Sequence, residues 1–165
     1  MADVRARAQA IRLAIFDVDG VLTDGTLWIG PEGEAFKAFN ILDGHGVKML
    51  HSAGIATAIL SGRESAAVAR RAAELSIAHV IQGAEDKLAE LERLAARLGI
   101  PFEQCAFVGD DLPDLAVMTR CGFAVAVANA AETVKASAHY VTRAAGGHGA
   151  VREFCDLVLA ARGPR

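Results

Sequence analysis

Short apolar runs alternate with longer amphipathic stretches along this chain. The runs are Arg12–Phe16, Ile55–Leu60, His79–Ile81, Cys105–Val108, Phe123–Val127 and His139–Val141. Between them lie Glu64–Leu75, Asp86–Leu98 and Leu112–Arg120, the second with apolar residues at helical spacing. Runs this short read as buried strands, and the stretches between them as helices. Gly99 followed by Ile100-Pro101 is a helix stop, so the second helix ends there. Strand and helix in alternation predict an α/β fold with a mainly parallel sheet. There is no repeat, low-complexity tract or linker, so residues 1–165 are expected to form one domain.

One stretch departs from the alternation. Thr26–Phe39 (TLWIGPEGEAFKAF) has two apolar-rich arms around Gly30-Pro31-Glu32-Gly33. This predicts a β-hairpin inserted after the first strand. An isolated two-stranded hairpin is marginal in water. The face carrying Trp28, Phe36 and Phe39 is therefore expected to pack on the main domain or on another subunit.

Composition narrows the partners. The chain has 165 residues, 53% of them hydrophobic, enough for a sizeable core. A net charge of −3 and a pI near 5.9 provide no basic footprint for nucleic acid. No apolar run approaches the roughly 18 residues of a membrane span, and the N-terminal stretch does not read as a signal peptide. Cys105, Cys121 and Cys155 are far apart and odd in number. They read as reduced core thiols, and the expected location is the cytoplasm.

The candidate chemistry sits at the ends of the apolar runs. The first, LAIFDVDGVLT, closes on Asp17 and Asp19, two carboxylates where an unpaired buried acid would be costly. The run ending at Leu60 is followed by Ser61-Gly62-Arg63, Lys87 opens the long helix, and GDDLPDL supplies Asp110, Asp111 and Asp114. In open α/β sheets ligands bind beyond the C-terminal strand ends, so these groups are expected to converge. Asp17, Asp19 and Asp110 would repel one another without a hard cation among them, and oxygen ligands suit Mg²⁺ beside a phosphate. Ser61 and Lys87, with N–H groups near Gly20 and Gly62, would hold the phosphate oxygens.

D-x-D-G-V-L-T, a strand-end Ser-Gly, a lysine and G-D-D-x-x-D, in that order, resemble the four motifs of the haloacid dehalogenase superfamily. Over nearly the whole chain, DVDGVLTDG, GEAFKAFN, DGHG, GDDLPDL and VTRAAGGHGAVREFCDLVL resemble the family of 3-deoxy-D-manno-octulosonate 8-phosphate phosphatases. The resemblance implies a Rossmann-like three-layer sandwich without a large cap domain. It implies a homotetramer in which the hairpin and the C-terminal segment (Ala144 to Glu153) lie at subunit interfaces, over a neighbour's site.

The implied roles follow by position. Asp17 would be the nucleophile and Asp19 the acid/base. Mg²⁺ would be bound by Asp17, the Asp19 carbonyl and Asp110. Asp111 and Asp114 would orient metal waters or Lys87, while Ser61 and Lys87 stabilise the transferring phosphoryl group. Arg63, Asp43, Gly44, Gly46 and His148 would lie near the sugar. Two positions depart from the family pattern: Leu42 stands where relatives carry an arginine before Asp-Gly, and His148 where they often carry one between the C-terminal glycines. The implied activity is Mg²⁺-dependent hydrolysis of 3-deoxy-D-manno-octulosonate 8-phosphate through an aspartyl-phosphate, in lipopolysaccharide precursor synthesis. The alternatives are a phosphatase for another sugar or nonulosonate phosphate, such as N-acylneuraminate 9-phosphate, and a non-catalytic phospho-receiver-like module.

Overall fold

A computed structural model describes residues 2–163. Six parallel strands form one sheet in the order β5-β4-β1-β6-β7-β8. They are β1 (Leu13–Phe16), β4 (Ala56–Leu60), β5 (His79–Ile81), β6 (Cys105–Gly109), β7 (Phe123–Ala126) and β8 (Tyr140–Val141). The central strands β1, β6 and β7 are buried at every residue. That is why they read as continuous apolar runs: a parallel strand covered on both faces has no polar side. The separate antiparallel pair β2 (Trp28–Gly30) and β3 (Gly33–Phe36) forms the expected hairpin.

Helices flank the sheet. On one side α7 (Ala150–Arg162) packs against α1 (Ala2–Ala10) and α2 (Ile41–Ser52). The others are α3 (Ala66–Glu74), α4 (Lys87–Leu98), α5 (Leu115–Met118) and α6 (Glu132–Ser137). α4 ends as its sequence requires, with Gly99 left-handed at φ 61° and its N–H returned to Ala95 and Ala96. The fold is the Rossmann-like α/β sandwich, and the described residues form no large cap.

Among the described residues three helices, α1, α2 and α6, lack a clear sequence signal. α1 is polar, and α6 is a single short segment. α2 begins with Ile41 and Leu42 exposed while Asp43, Gly44 and Gly46 are buried, an inversion of the usual apolar stripe. Leu112–Arg120 is not one helix: a tight turn at Leu112–Asp114 leads into the short α5.

The core closes around three aromatic rings. Phe154 of α7 meets Phe16 edge-on at 5.8 Å and lies 6.1 Å from Phe123. All three are fully buried. Phe154→Ala is expected to cost about 3–5 kcal/mol, the range for an aromatic removed from a packed core. Urea unfolding should show a lower midpoint at an unchanged slope.

Candidate active site

The strand ends of β1, β4 and β6 open into one cleft of ≈ 260 Å³. Asp17, Asp19, Ser61, Gly62, Arg63, Lys87, Asp110, Asp111, Pro113 and Asp114 line it. Every catalytic and metal position singled out in the sequence is therefore in one place.

The loop after β1 is held by its own side chains. Asp17 N–H donates to Val108 O on β6 at 3.1 Å, continuing the sheet one residue beyond the strand. Buried Thr23 accepts from Gly20 N at 3.4 Å and Gly25 N at 3.2 Å, and donates to Val18 O at 3.3 Å. Gly20 has φ 93°, and a Cβ there would stand 2.1 Å from Asp110 Oδ2. A glycine is thus required both by the backbone and by the approach of Asp110.

Lys87 starts α4, where a cation opposes the helix dipole. Two carboxylates offset this: its Nζ donates to Asp17 Oδ1 at 2.9 Å and Asp114 Oδ1 at 2.7 Å. Burial alone would lower the Lys87 pKa, but these two acids raise it on balance. Asp114 is 1% exposed, and its other oxygen accepts from Asp110 N at 3.0 Å. It therefore orients the lysine and the backbone of the acidic loop. Asp111 caps the turn that follows, accepting from Leu112 N at 2.8 Å.

Negative charge in the cleft exceeds what Lys87 offsets. Carboxylate oxygens of Asp17, Asp110 and Asp114 lie within 4.8 Å of one another. Burial, then repulsion by Asp114, pushes Asp17 up to about 6 against the pull of Lys87. Burial and the neighbouring acids push Asp110 up to about 7. Such raised carboxylates mark a place for a cation, and an all-oxygen donor set fits Mg²⁺ or a similar hard ion.

Ser61 is buried at the end of β4, its N–H on Ile81 O at 2.9 Å and its Oγ accepting from Arg63 N at 3.3 Å. Arg63 Nε lies 3.3 Å from Asp19 Oδ2. Sequence reasoning missed two groups, Lys37 and Glu34. Lys37 Nζ pairs with Asp19, and with Glu34 Oε2 at 3.1 Å. No local motif marks them as site residues; the reading of Thr26–Phe39 as a hairpin gives their element and not their partners.

The expected sugar-binding set separates. Arg63 lines the cleft, but Asp43, Gly44, Gly46 and His148 do not. Asp43 is 1% exposed and caps α7, accepting from Arg152 N at 2.7 Å and Gly149 N at 3.3 Å. A Cβ on Gly44 would meet Arg71 at 2.4 Å, and one on Gly46 would meet Cys155 at 3.1 Å, so both serve helix packing. His148 is exposed, between Gly147 and Gly149 at the entry to α7.

Ala144–Glu153 packs closely on its own chain. Gly147 N–H donates to Val21 O at 2.9 Å, and Gly146 N–H to Asn129 Oδ1 at 2.8 Å. A Cβ on Gly146 would fall 1.6 Å from Gly20 O. The segment braces the loop that carries Asp17 and Asp19.

Comparison with known proteins agrees with this geometry. A family model for haloacid dehalogenase-like hydrolases matches residues 75–154. The 3-deoxy-D-manno-octulosonate 8-phosphate phosphatase KdsC of Escherichia coli (strain K12) is 49% identical over 98% of this chain and 86% of its own. The chain belongs to this phosphatase family of haloacid dehalogenase-like hydrolases. Solved phosphatases superpose closely. A probable YrbI family phosphatase from Pseudomonas syringae pv. phaseolica 1448a has TM-score 0.97 and 55% identity, covering 99% of this chain and 93% of its own. The Moraxella catarrhalis 3-deoxy-D-manno-octulosonate 8-phosphate phosphatase, in complex with magnesium ion, phosphate ion and KDO, has TM-score 0.96 and 46% identity, covering 98% and 93%.

The raised pKa values of Asp17 and Asp110 set a sign for stability in this phosphatase. Between about 4 and about 7 the folded protein holds protons that the unfolded chain has lost. Those protons favour the folded state at the acid end, and their contribution is lost as pH rises. The metal-free protein should therefore melt higher at pH 5.5 than at pH 7.5, at roughly 2–4 °C per kcal/mol. Saturating Mg²⁺ should raise the midpoint more at pH 7.5, because the ligands must be deprotonated. Scanning calorimetry at the two pH values, with and without Mg²⁺, checks this. Asp110→Asn should flatten the pH dependence of the metal-free protein.

Proposed function

We propose that this protein is a Mg²⁺-dependent phosphatase hydrolysing 3-deoxy-D-manno-octulosonate 8-phosphate, in the supply of lipopolysaccharide precursors. The observation that carries this is the convergence of Asp17, Asp19, Ser61, Lys87 and Asp110 in one cleft, in a chain 49% identical to such phosphatases. The catalytic unit is residues 1–165, acting in the cytoplasm. No helix among the described residues is long and apolar enough to cross a membrane.

Asp17 attacks phosphorus, and the bond from phosphorus to the sugar oxygen breaks. The leaving oxygen takes a proton from Asp19, leaving free sugar acid and an aspartyl-phosphate on Asp17. Asp19 then takes a proton from water, whose oxygen attacks phosphorus and frees Asp17 and inorganic phosphate. Lys87 and Ser61 stabilise the negative phosphoryl oxygens, and Asp114 and Asp111 keep the lysine and the acidic loop in place. The Asp17 carboxylate, the Asp19 carbonyl and Asp110 would hold Mg²⁺, which would supply positive charge against the phosphoryl oxygens. Arg63, at the rim beside Asp19, meets the sugar acid.

The hairpin supports the proposed homotetramer. Trp28 is 50% exposed, Ile29 64% and Phe36 57%, with Trp28 and Phe36 stacked at 5.3 Å. Large apolar side chains exposed together on one hairpin favour burial against another chain. Analytical ultracentrifugation should give a tetramer, and Trp28→Glu should shift it to smaller species.

Phosphate release is to be compared for 3-deoxy-D-manno-octulosonate 8-phosphate, N-acylneuraminate 9-phosphate and simple sugar phosphates, each with Mg²⁺. The first should lead by at least about tenfold in kcat/KM, a difference of roughly 1.4 kcal/mol in the transition state. A flat profile moves the substrate to another sugar phosphate. Asp17→Asn should abolish turnover with the fold intact by circular dichroism, whereas full activity in that variant removes the mechanism.

A further inference from the structure

The buried charges of the cleft form two matched clamps. In the first, Lys87 is 8% exposed and lies between Asp17 and Asp114. In the second, the Lys37 side chain is 1% exposed and lies between Asp19 and Glu34. Each carboxylate of the D-x-D pair thus meets one buried ammonium, and each ammonium is anchored on a second acid.

The second clamp is the less expected. Lys37 follows β3, on a hairpin whose other side chains are largely exposed. A lysine is not buried from such a place without compensation, because a desolvated ammonium needs partners for its protons. Glu34 is held from the body of the protein: Ser65 Oγ donates to Glu34 Oε1, and Arg63 Nη2 lies 3.6 Å from Glu34 Oε2. Arg63 also reaches Asp19, closing a ring of alternating charge, Asp19–Lys37–Glu34–Arg63. The two cations of the ring differ. The Arg63 side chain is 48% exposed at the cleft rim and free to turn toward an incoming anion, whereas Lys37 is enclosed. Once Arg63 engages substrate, Lys37 alone remains to fix Asp19.

We propose that Lys37 is the positioning residue for Asp19, with Glu34 as its anchor, so that the hairpin sets the aim of the proton-transferring carboxylate. This rests on the proposed role of Asp19 as proton donor to the leaving oxygen. Misplacing a reacting group by about 1 Å is enough to lose roughly a hundredfold in rate. The loss falls on substrates whose leaving group needs a proton. An alkoxide does; p-nitrophenolate does not.

The test is the ratio of kcat/KM for 3-deoxy-D-manno-octulosonate 8-phosphate to kcat/KM for p-nitrophenyl phosphate, at saturating Mg²⁺. kcat/KM reports phosphoryl transfer to Asp17 and excludes the later hydrolysis of the aspartyl-phosphate. In Lys37→Met the ratio should fall at least about tenfold, within the general-acid contribution of 10²–10⁴. Glu34→Gln, which loosens Lys37 without removing its charge, should lower the ratio by a smaller factor. It decides the matter where Lys37→Met does not fold by circular dichroism. A wild-type ratio in the folded variants, even with both rates reduced together, overturns the proposal and makes the clamp structural. Asp19→Asn separates the two levels. A lowered ratio there with an unchanged ratio in Lys37→Met overturns only the role of Lys37. An unchanged ratio in Asp19→Asn removes the proton-donor reading, and the proposal with it.

Discussion

The concentration of negative charge at one end of the sheet is the constraint on which the rest of this structure depends. Asp17, Asp110 and Asp114 bring carboxylate oxygens within 4.8 Å of one another inside a partly buried cleft. Left alone, such a cluster would protonate or open. Lys87 offsets part of it by bridging Asp17 and Asp114, and the remainder favours a divalent cation. Much of the local architecture keeps these like charges together. Asp17 stays on the sheet through Val108, Gly20 admits Asp110, and Asp114 is spent on the lysine and the acidic-loop backbone.

The supports come from distant parts of the chain. The glycine-rich entry to α7 lies against the loop after β1 so closely that no side chain fits at Gly146. Asp43 of α2 in turn caps α7 at Arg152 and Gly149. Substitutions at Asp43 or Gly146 would thus disturb the loop after β1 through the packing of α7. The hairpin has a double character: Trp28, Ile29 and Phe36 are exposed to solvent, while Lys37, paired with Glu34, reaches Asp19.

The acids, the strand-end serine and the lysine could be read from the chain because each sits beside a pattern that places it. Parallel strands buried on both faces appear as short apolar runs, and in such sheets polar residues just beyond those runs share one edge. The hairpin was legible from its turn residues, and Gly99 from the stop it makes. Together these determined an α/β sheet and the acids, serine and lysine that meet at one edge of it.

Only tertiary structure decided the rest. Lys37 and Glu34 belong to the site because the hairpin folds back on it, and no local periodicity encodes that return. Asp43, Gly44 and Gly46 carry no burial signal in one dimension. In three they are the buried side of α2, where a carboxylate caps another helix and glycines admit close neighbours. Ala144–Glu153 likewise shows its partner only when the chain closes on itself. A sequence pattern reports which side of an element is buried; it carries no record of what that side is buried against, and contacts between residues a hundred positions apart are of that second kind.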